Sequence, residues 1–346
     1  MPRHDRDFMP TDSREARLQR MMQDEGILRE YREHLARLDS SDSTPADRSE
    51  AQDIANFSDL ARCQSLGIHS SRAPDGPMFF GYETSDGESE LVFYDIMFVK
   101  HSILPPLPDR RYKNPGTLYH SISLVAPPGS ERARATSAAL QNMYLCMSTA
   151  SASRPFSEFS ARSWLPSNDH ADERELFLTS PAFTRAEDVK TGRTSSKACS
   201  IPPTFDTNGV MQRIIDTSRG SVCFTSDNLF RICDLTVSSD APRSAKFPSA
   251  DAIVTGQMVY VSFTIRGTAG KPPVPRGGRY TGSSIYSFKP TLRSIFILSK
   301  TGPMVMKRNA MLKSNAPNEM QGVEEQLADP VEQDISRDLK RLRIQV

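Results

Sequence analysis

Between residues 260 and 300, Tyr260, Tyr280, Tyr286, Phe288 and Phe296 interleave with Arg266, Lys271, Arg276, Arg279, Lys289, Arg293 and Lys300. Aromatic rings stack on nucleobases and cations hold phosphates, and single-stranded nucleic acid is bound by that combination. The candidate binding set is Tyr260, Arg266, Lys271, Arg276, Arg279, Tyr280, Tyr286, Lys289 and Arg293. Arg276-Gly277-Gly278-Arg279-Tyr280 is a single RGG unit, whereas RGG segments that bind RNA usually repeat. The plain alternative is that strands favour aromatics and that exposed cations discourage edge pairing.

The charge distribution sharpens this reading. The chain carries a net charge of only +1, yet from Arg243 to Lys313 it has twelve Lys/Arg and a single acid, Asp251. Residues 1–60 carry 9 basic and 14 acidic side chains, and residues 316–346 carry 4 and 7. A basic segment between acidic ends attracts polyanions by Coulomb attraction and counterion release. If the cations instead scatter over all faces, they pair with the acidic half and attract nothing.

Catalytic patterns are scarce. G-x-S-x-G, H-E-x-x-H and G-x-G-x-x-G are absent. Gly267–Lys271 (GTAGK) approaches a P-loop, but it has too few residues between its glycines, and Pro272 stands where Ser/Thr would hold magnesium. Asp169, His170, Asp172 and Glu173 cluster as a hard-metal site would, but also as a solvated loop would. Cys146 falls near the end of an expected helix, where the dipole would not activate it, and reads as a buried thiol. Asp95 stands in the most apolar strand. It either points to solvent or is buried with a partner and a raised pKa. No cofactor is implied, and the reading leans away from an enzyme. A pocket joining Asp95 to His101 or His120 would revive one.

The elements that must position these residues follow from periodicity. Asp12 and Glu15 open a helix over 12–39, with Leu28, Tyr31, Leu35 and Leu38 on one stripe and Gly26 interrupting it. Residues 40–49 read as a linker. Met78–Tyr82 and Leu91–Val99 flank an Asp-Gly turn and read as a hairpin, Leu118–Val125 as a strand, and Arg132–Met147 as a helix. Residues 148–206, with the single Trp164, read as an irregular connector. Val222–Thr225 and Leu229–Val237 read as a second hairpin. Met258–Arg266 is an alternating strand, Gly267–Ser284 an exposed loop, and Ile285–Phe288 and Leu292–Leu298 are strands split by Pro290. Residues 309–326 are polar, and 330–345 form a helix carrying Val331, Ile335, Leu339 and Leu342.

The chain has 346 residues and 37% apolar side chains, enough for a core diluted by polar segments. No apolar run reaches membrane-span length, and residues 1–10 are too acidic for a signal peptide. Five cysteines, an odd number without C-x-x-C spacing, favour reduced thiols in an intracellular protein, nuclear or cytoplasmic; Lys340, Arg341 and Arg343 form a short basic run.

The expected fold is α+β, with a mostly antiparallel sheet or barrel core, an OB-like C-terminal half, peripheral helices and disordered termini. The expected segments are 1–50 (acidic arm and linker), 51–150 (α+β lobe), 151–206 (connector), 207–313 (basic β-rich lobe) and 314–346 (acidic linker and helix). No motif places the chain in a family. The leading expectation is a non-catalytic binder of single-stranded DNA or RNA. The runner-up is a protein-interaction scaffold using helices 12–39 and 330–345.

Overall fold

The computed structural model describes residues 13–39, 51–70, 77–84, 87–152, 157–160, 175–191, 196–236, 252–270 and 284–314. The fold is α+β with a large, mostly antiparallel sheet. The chain divides into two units, Met1–Asn309 and Ala310–Val346, and the sheet belongs to the first.

The N-terminal helix is two helices, α1 (Arg14–Met21) and α2 (Glu25–Asp39). Ser13, rather than Asp12, caps the first, its Oγ accepting from the Ala16 amide at 3.2 Å. The break lies ahead of Gly26, where Asp24 Oδ1 accepts from the amides of Gly26 and Ile27 at 3.0 and 3.2 Å. A short acceptor at that position favours a new helix start over continuation.

Three strands build the first part of the sheet: β1 (Ala51–Asp53), β2 (Gly67–Ser70) and β3 (Met78–Thr84). A 3-10 turn (Ile54–Phe57) and α3 (Leu60–Gln64) separate the first two. β3 forms its hairpin with β4 (Gly87–Glu90), not with the longer β5 (Val92–Ile103). Leu91 separates the two, so β5 is free to pair with later strands. β6 (Tyr119–Val125) and α4 (Glu131–Ala152) follow as expected.

The stretch read as an irregular connector contains regular structure: β7 (Ser157–Ser160), β8 (Glu175–Pro181), β9 (Thr184–Arg185) and α5 (Ala186–Lys190). Trp164 lies outside the described residues. After α6 (Val210–Thr217), the second expected hairpin is also replaced. Its first strand, β10 (Val222–Cys223), pairs with β9, and its second, β11 (Arg231–Asp234), runs parallel to β13 (Ser284–Ser299). The turn residues Ser226–Asn228 form a 3-10 turn instead, because the Asn228 side chain accepts from the Thr225 amide at 2.8 Å.

β12 (Met258–Gly270) and β13 are long antiparallel partners. Pro290 does not split β13. Around it the strand's other edge changes neighbour, with β7 alongside 284–287, β8 at 291 and β11 alongside 294–297, so the missing donor interrupts no continuous ladder on that edge. Helix α7 (Thr301–Ser314) takes in residues 309–314 of the segment read as polar. The second expected helix, 330–345, lies outside the described residues.

The strand order is β1-β5-β6-β8-β13-β12-β3-β2, and β12 also pairs with β5. The pairings β5–β6–β8–β13–β12–β5 therefore return on themselves. All are antiparallel except β8–β13, which is parallel through the single pair Thr179–Thr291. Strands from both halves of the chain thus share one sheet.

Phe93, Met97, Val99, Ile122, Leu124, Leu178, Val261, Phe263, Phe288 and Ile295 belong to one buried cluster. A second cluster sets Leu18, Met21, Met22, Ile27 and Tyr31 against Ile96, Phe98, Tyr260 and Phe296. Residues 13–38 therefore pack against the sheet. Each such large apolar side chain contributes roughly 1.5–3 kcal/mol on full burial.

Candidate nucleic-acid interface

The structure separates the aromatic and cationic residues that the sequence interleaves. Tyr260 is 4% exposed, with its ring stacked on Tyr94 at 5.1 Å and edge-on to Phe296 at 5.6 Å, beneath α1 and α2. Tyr286 is 1% exposed. Neither ring presents a face to solvent. Arg266 holds Glu90 through two bonds of 2.7 Å, and Arg293 donates to the same carboxylate at 2.6 Å. Arg293 is the extra residue of a bulge, since Ser262 pairs with Ser294 and Phe263 with Leu292, and the bulge re-aims its side chain. Burial raises the Glu90 pKa, but Arg266 and then Arg293 outweigh it, so the carboxyl sits below its ordinary value. Lys300 likewise pairs with Asp234. Lys271, Arg276, Arg279 and Tyr280 lie outside the described residues.

Lys289 stands elsewhere, on the other parity of β13 from Tyr286 and Phe288. Its ammonium lies 5.2 Å from the centre of the Tyr119 ring and 3.4 Å from its hydroxyl. Tyr119 opens β6 and is 43% exposed. Its strand alternates, with His120, Ile122 and Leu124 buried inward and Ser121 and Ser123 on the parity of Tyr119. β8 alternates in register: Leu176 and Leu178 point inward, while Phe177, 47% exposed, and Thr179 point outward. Ser123 faces Phe177 and Ser121 faces Thr179, which in turn pairs with Thr291 of β13. The outer face of β6 and β8 thus carries two exposed rings about 14 Å apart along the strands. Thr179 and the largely buried Ser121 lie between them, Lys289 sits at the Tyr119 end, and at the Phe177 end Glu175 accepts from Ser123 and Lys100.

No protein-family model matches the chain, and no curated protein does. Among solved structures, the chain is similar to gp2.5, a single-stranded DNA-binding protein encoded by bacteriophage T7. The identity is 11%, the match covers 68% of this chain and 100% of that one, and the TM-score is 0.32.

The other candidate groups have different surroundings. Asp95 is buried, 1% exposed, and does not point to solvent. Arg132 Nε donates to its Oδ1 at 2.6 Å and Thr136 Oγ1 to its Oδ2 at 2.7 Å, while the same guanidinium holds Asp53 at 2.9 and 2.8 Å. Burial raises the Asp95 pKa against the pull of Arg132. His120 lies among the rings of Phe205 and Phe230, and desolvation lowers its pKa to about 4, leaving it neutral.

Cys146 is half-buried beside Cys63. Burial raises both thiols, that of Cys63 to about 12, so neither is poised as a nucleophile. Gly267–Gly270 are strand rather than phosphate loop. Among the described residues no cluster could hold a metal, and no helix is long and apolar enough to cross a membrane. Asp169, His170, Asp172, Glu173, Lys340, Arg341 and Arg343 lie outside the described residues.

Sequence reasoning missed Tyr119 and Phe177. The signal was available in ELFLTSP, where Phe177 breaks the Leu-x-Leu alternation by adding an apolar residue on the polar parity. It was masked by the Ser- and Pro-rich surroundings.

Proposed function

We propose that the chain binds single-stranded nucleic acid on the outer face of β6 and β8. The observation that carries this is the pair of solvent-facing rings, Tyr119 and Phe177, on a sheet face that also carries Ser121, Ser123, Thr179 and Glu175 and is flanked by Lys289. Exposed rings offer every base a stacking surface, and a flanking cation offers its phosphate a counter-charge. In this reading the self-closing circuit of five strands is an OB-type barrel. Its order, with one parallel pair between third and fifth strands, suits that Greek-key arrangement, in which the second and third strands form the binding face. Here those strands are β6 and β8.

In sequence, Lys271, Arg276, Arg279 and Tyr280 fall between the fourth and fifth strands of the circuit. Tyr260, Tyr286, Arg266 and Arg293 support the sheet. The stripe Tyr31, Leu35 and Leu38, on which a protein-scaffold reading relied, packs against the body and favours the nucleic-acid reading over it.

The test is fluorescence anisotropy with labelled single-stranded DNA and RNA over a salt series. Tyr119→Ala and Phe177→Ala should each cost roughly 1–3 kcal/mol of binding. Single strands should bind better than duplex, and Arg276→Ala with Arg279→Ala should flatten the salt slope. Absence of binding at low salt, or affinity indifferent to both ring substitutions, would sink the proposal.

A further inference from the structure

A cleft of about 670 Å³ opens at one end of β6 and β8, lined by Lys113–Thr117, Arg185–Glu187, Lys190 and Gly220–Val222. Residues 113–117 run directly into Tyr119, and Arg185 follows closely on Pro181, the register partner of Tyr119. The Ala182 amide donates to the Leu118 carbonyl at 2.9 Å, tying the two walls at that end. Phe177, Tyr119 and the cleft therefore succeed one another along one direction of the sheet.

The cleft gathers three cations. Lys113, Arg185 and Lys190 are all exposed, and among the described residues none has a carboxylate partner. Elsewhere in the fold Lys100, Arg132, Arg213, Arg266, Arg293 and Lys300 are each held by an acid. One carboxylate, Glu187, also lines the cleft. Gly116 lies beside Arg185, where an added Cβ would meet its Cγ at an ordinary contact distance of 3.5 Å.

We propose that this cleft holds the phosphodiester backbone of a single strand as it leaves the Tyr119–Phe177 face, so that the bound strand continues over β9 and α5. This rests on the reading of that face as the base-stacking surface. Three cations without an ion-pair partner among the described residues, against one acid, suit a polyanion, and the open cleft suits a chain of phosphates rather than an enclosed small ligand.

The experiment compares oligothymidylates of roughly 4 and roughly 16 nucleotides, the span of site sizes for one such fold. Binding is measured against salt for the wild-type chain, a Lys113→Gln/Arg185→Gln/Lys190→Gln variant and Glu187→Gln. Each single-strand phosphate contact contributes about 0.7 to the slope of log affinity against log salt. The triple variant should lower the slope by about 2 on the long oligonucleotide and leave the short one nearly unchanged, while Glu187→Gln should tighten the long one. All four side chains are exposed, and an unchanged melting temperature confirms folding. A wild-type slope in the triple variant, with Tyr119→Ala and Phe177→Ala still weakening binding, overturns the cleft and leaves the face standing. No binding by the wild-type chain overturns both.

Discussion

His120 is the residue whose surroundings contradict its type most plainly. An imidazole with both nitrogens buried among phenylalanine rings has no hydrogen-bond partner among the described residues, and burial drives its pKa from the ordinary 6.5 to about 4. Unfolding lets it take a proton that the folded state refuses. Stability is thus full above about pH 6.5, falls as pH drops from 6.5 toward 4, and loses nothing further to this group below that. The loss is on the order of 3 kcal/mol. Glu90 and Asp234, both lowered by their cation partners, lose their contributions at lower pH, so the windows are separable. Urea midpoints measured from pH 7 to 4 should show His120→Leu flatter than the wild type over that upper window. Parallel curves would mean that His120 finds a partner or titrates normally.

At the scale of elements, α1 and α2 act as a cover. Without them Ile96, Phe98, Tyr260 and Phe296 would face water. A chain lacking residues 1–39 should show a lower urea midpoint and bind a hydrophobic dye that the full chain does not, and an unchanged midpoint would contradict this packing. The start of α7 makes a second tight fit. Gly302 abuts the Gly256 carbonyl so closely that a Cβ would collide with backbone, and Gly256 itself has φ +88°. Gly302→Ala should cost about 1–3 kcal/mol by overpacking, measured by thermal melting, whereas a helix-propensity view would expect a gain.

At the scale of the whole molecule, Arg132 clamps segments remote in sequence. From α4 it binds Asp53 at the end of β1 and Asp95 in β5, with Thr136 completing the Asp95 shell. Removing the guanidinium leaves a buried carboxylate unpaired, at a cost of about 3–5 kcal/mol. Arg132→Met should therefore lower the chemical-denaturation midpoint sharply, and Arg132→Lys should restore little, because an ammonium cannot reproduce the planar fork that spans both acids. Full rescue by lysine would reduce the clamp to simple charge.

Local patterns in the sequence determined much of this protein. The 3.6-residue stripe of α4 and the alternation of β6 and β12 follow from side chains a few residues apart; all three elements appear where expected, although α4 and β12 run on to Ala152 and Gly270, past the expected ends at Met147 and Arg266. Only the tertiary structure decided what lies on which face and who pairs with whom. β5 reads as half of a local hairpin but pairs with β12 and β6, because strand partners are chosen by long-range burial rather than by the nearest turn. β8 was illegible because its neighbours in sequence are polar, yet it completes the strand circuit. Tyr260 and Tyr119 are the same residue type on strands of similar pattern. One lies under two helices and the other faces solvent beside Lys289, a difference set by packing from segments hundreds of residues away. The same holds for charge: the sequence places the cations, but Glu90, from the acidic half, pairs with both Arg266 and Arg293, while Lys113, Arg185 and Lys190 line one cleft with no such partner among the described residues.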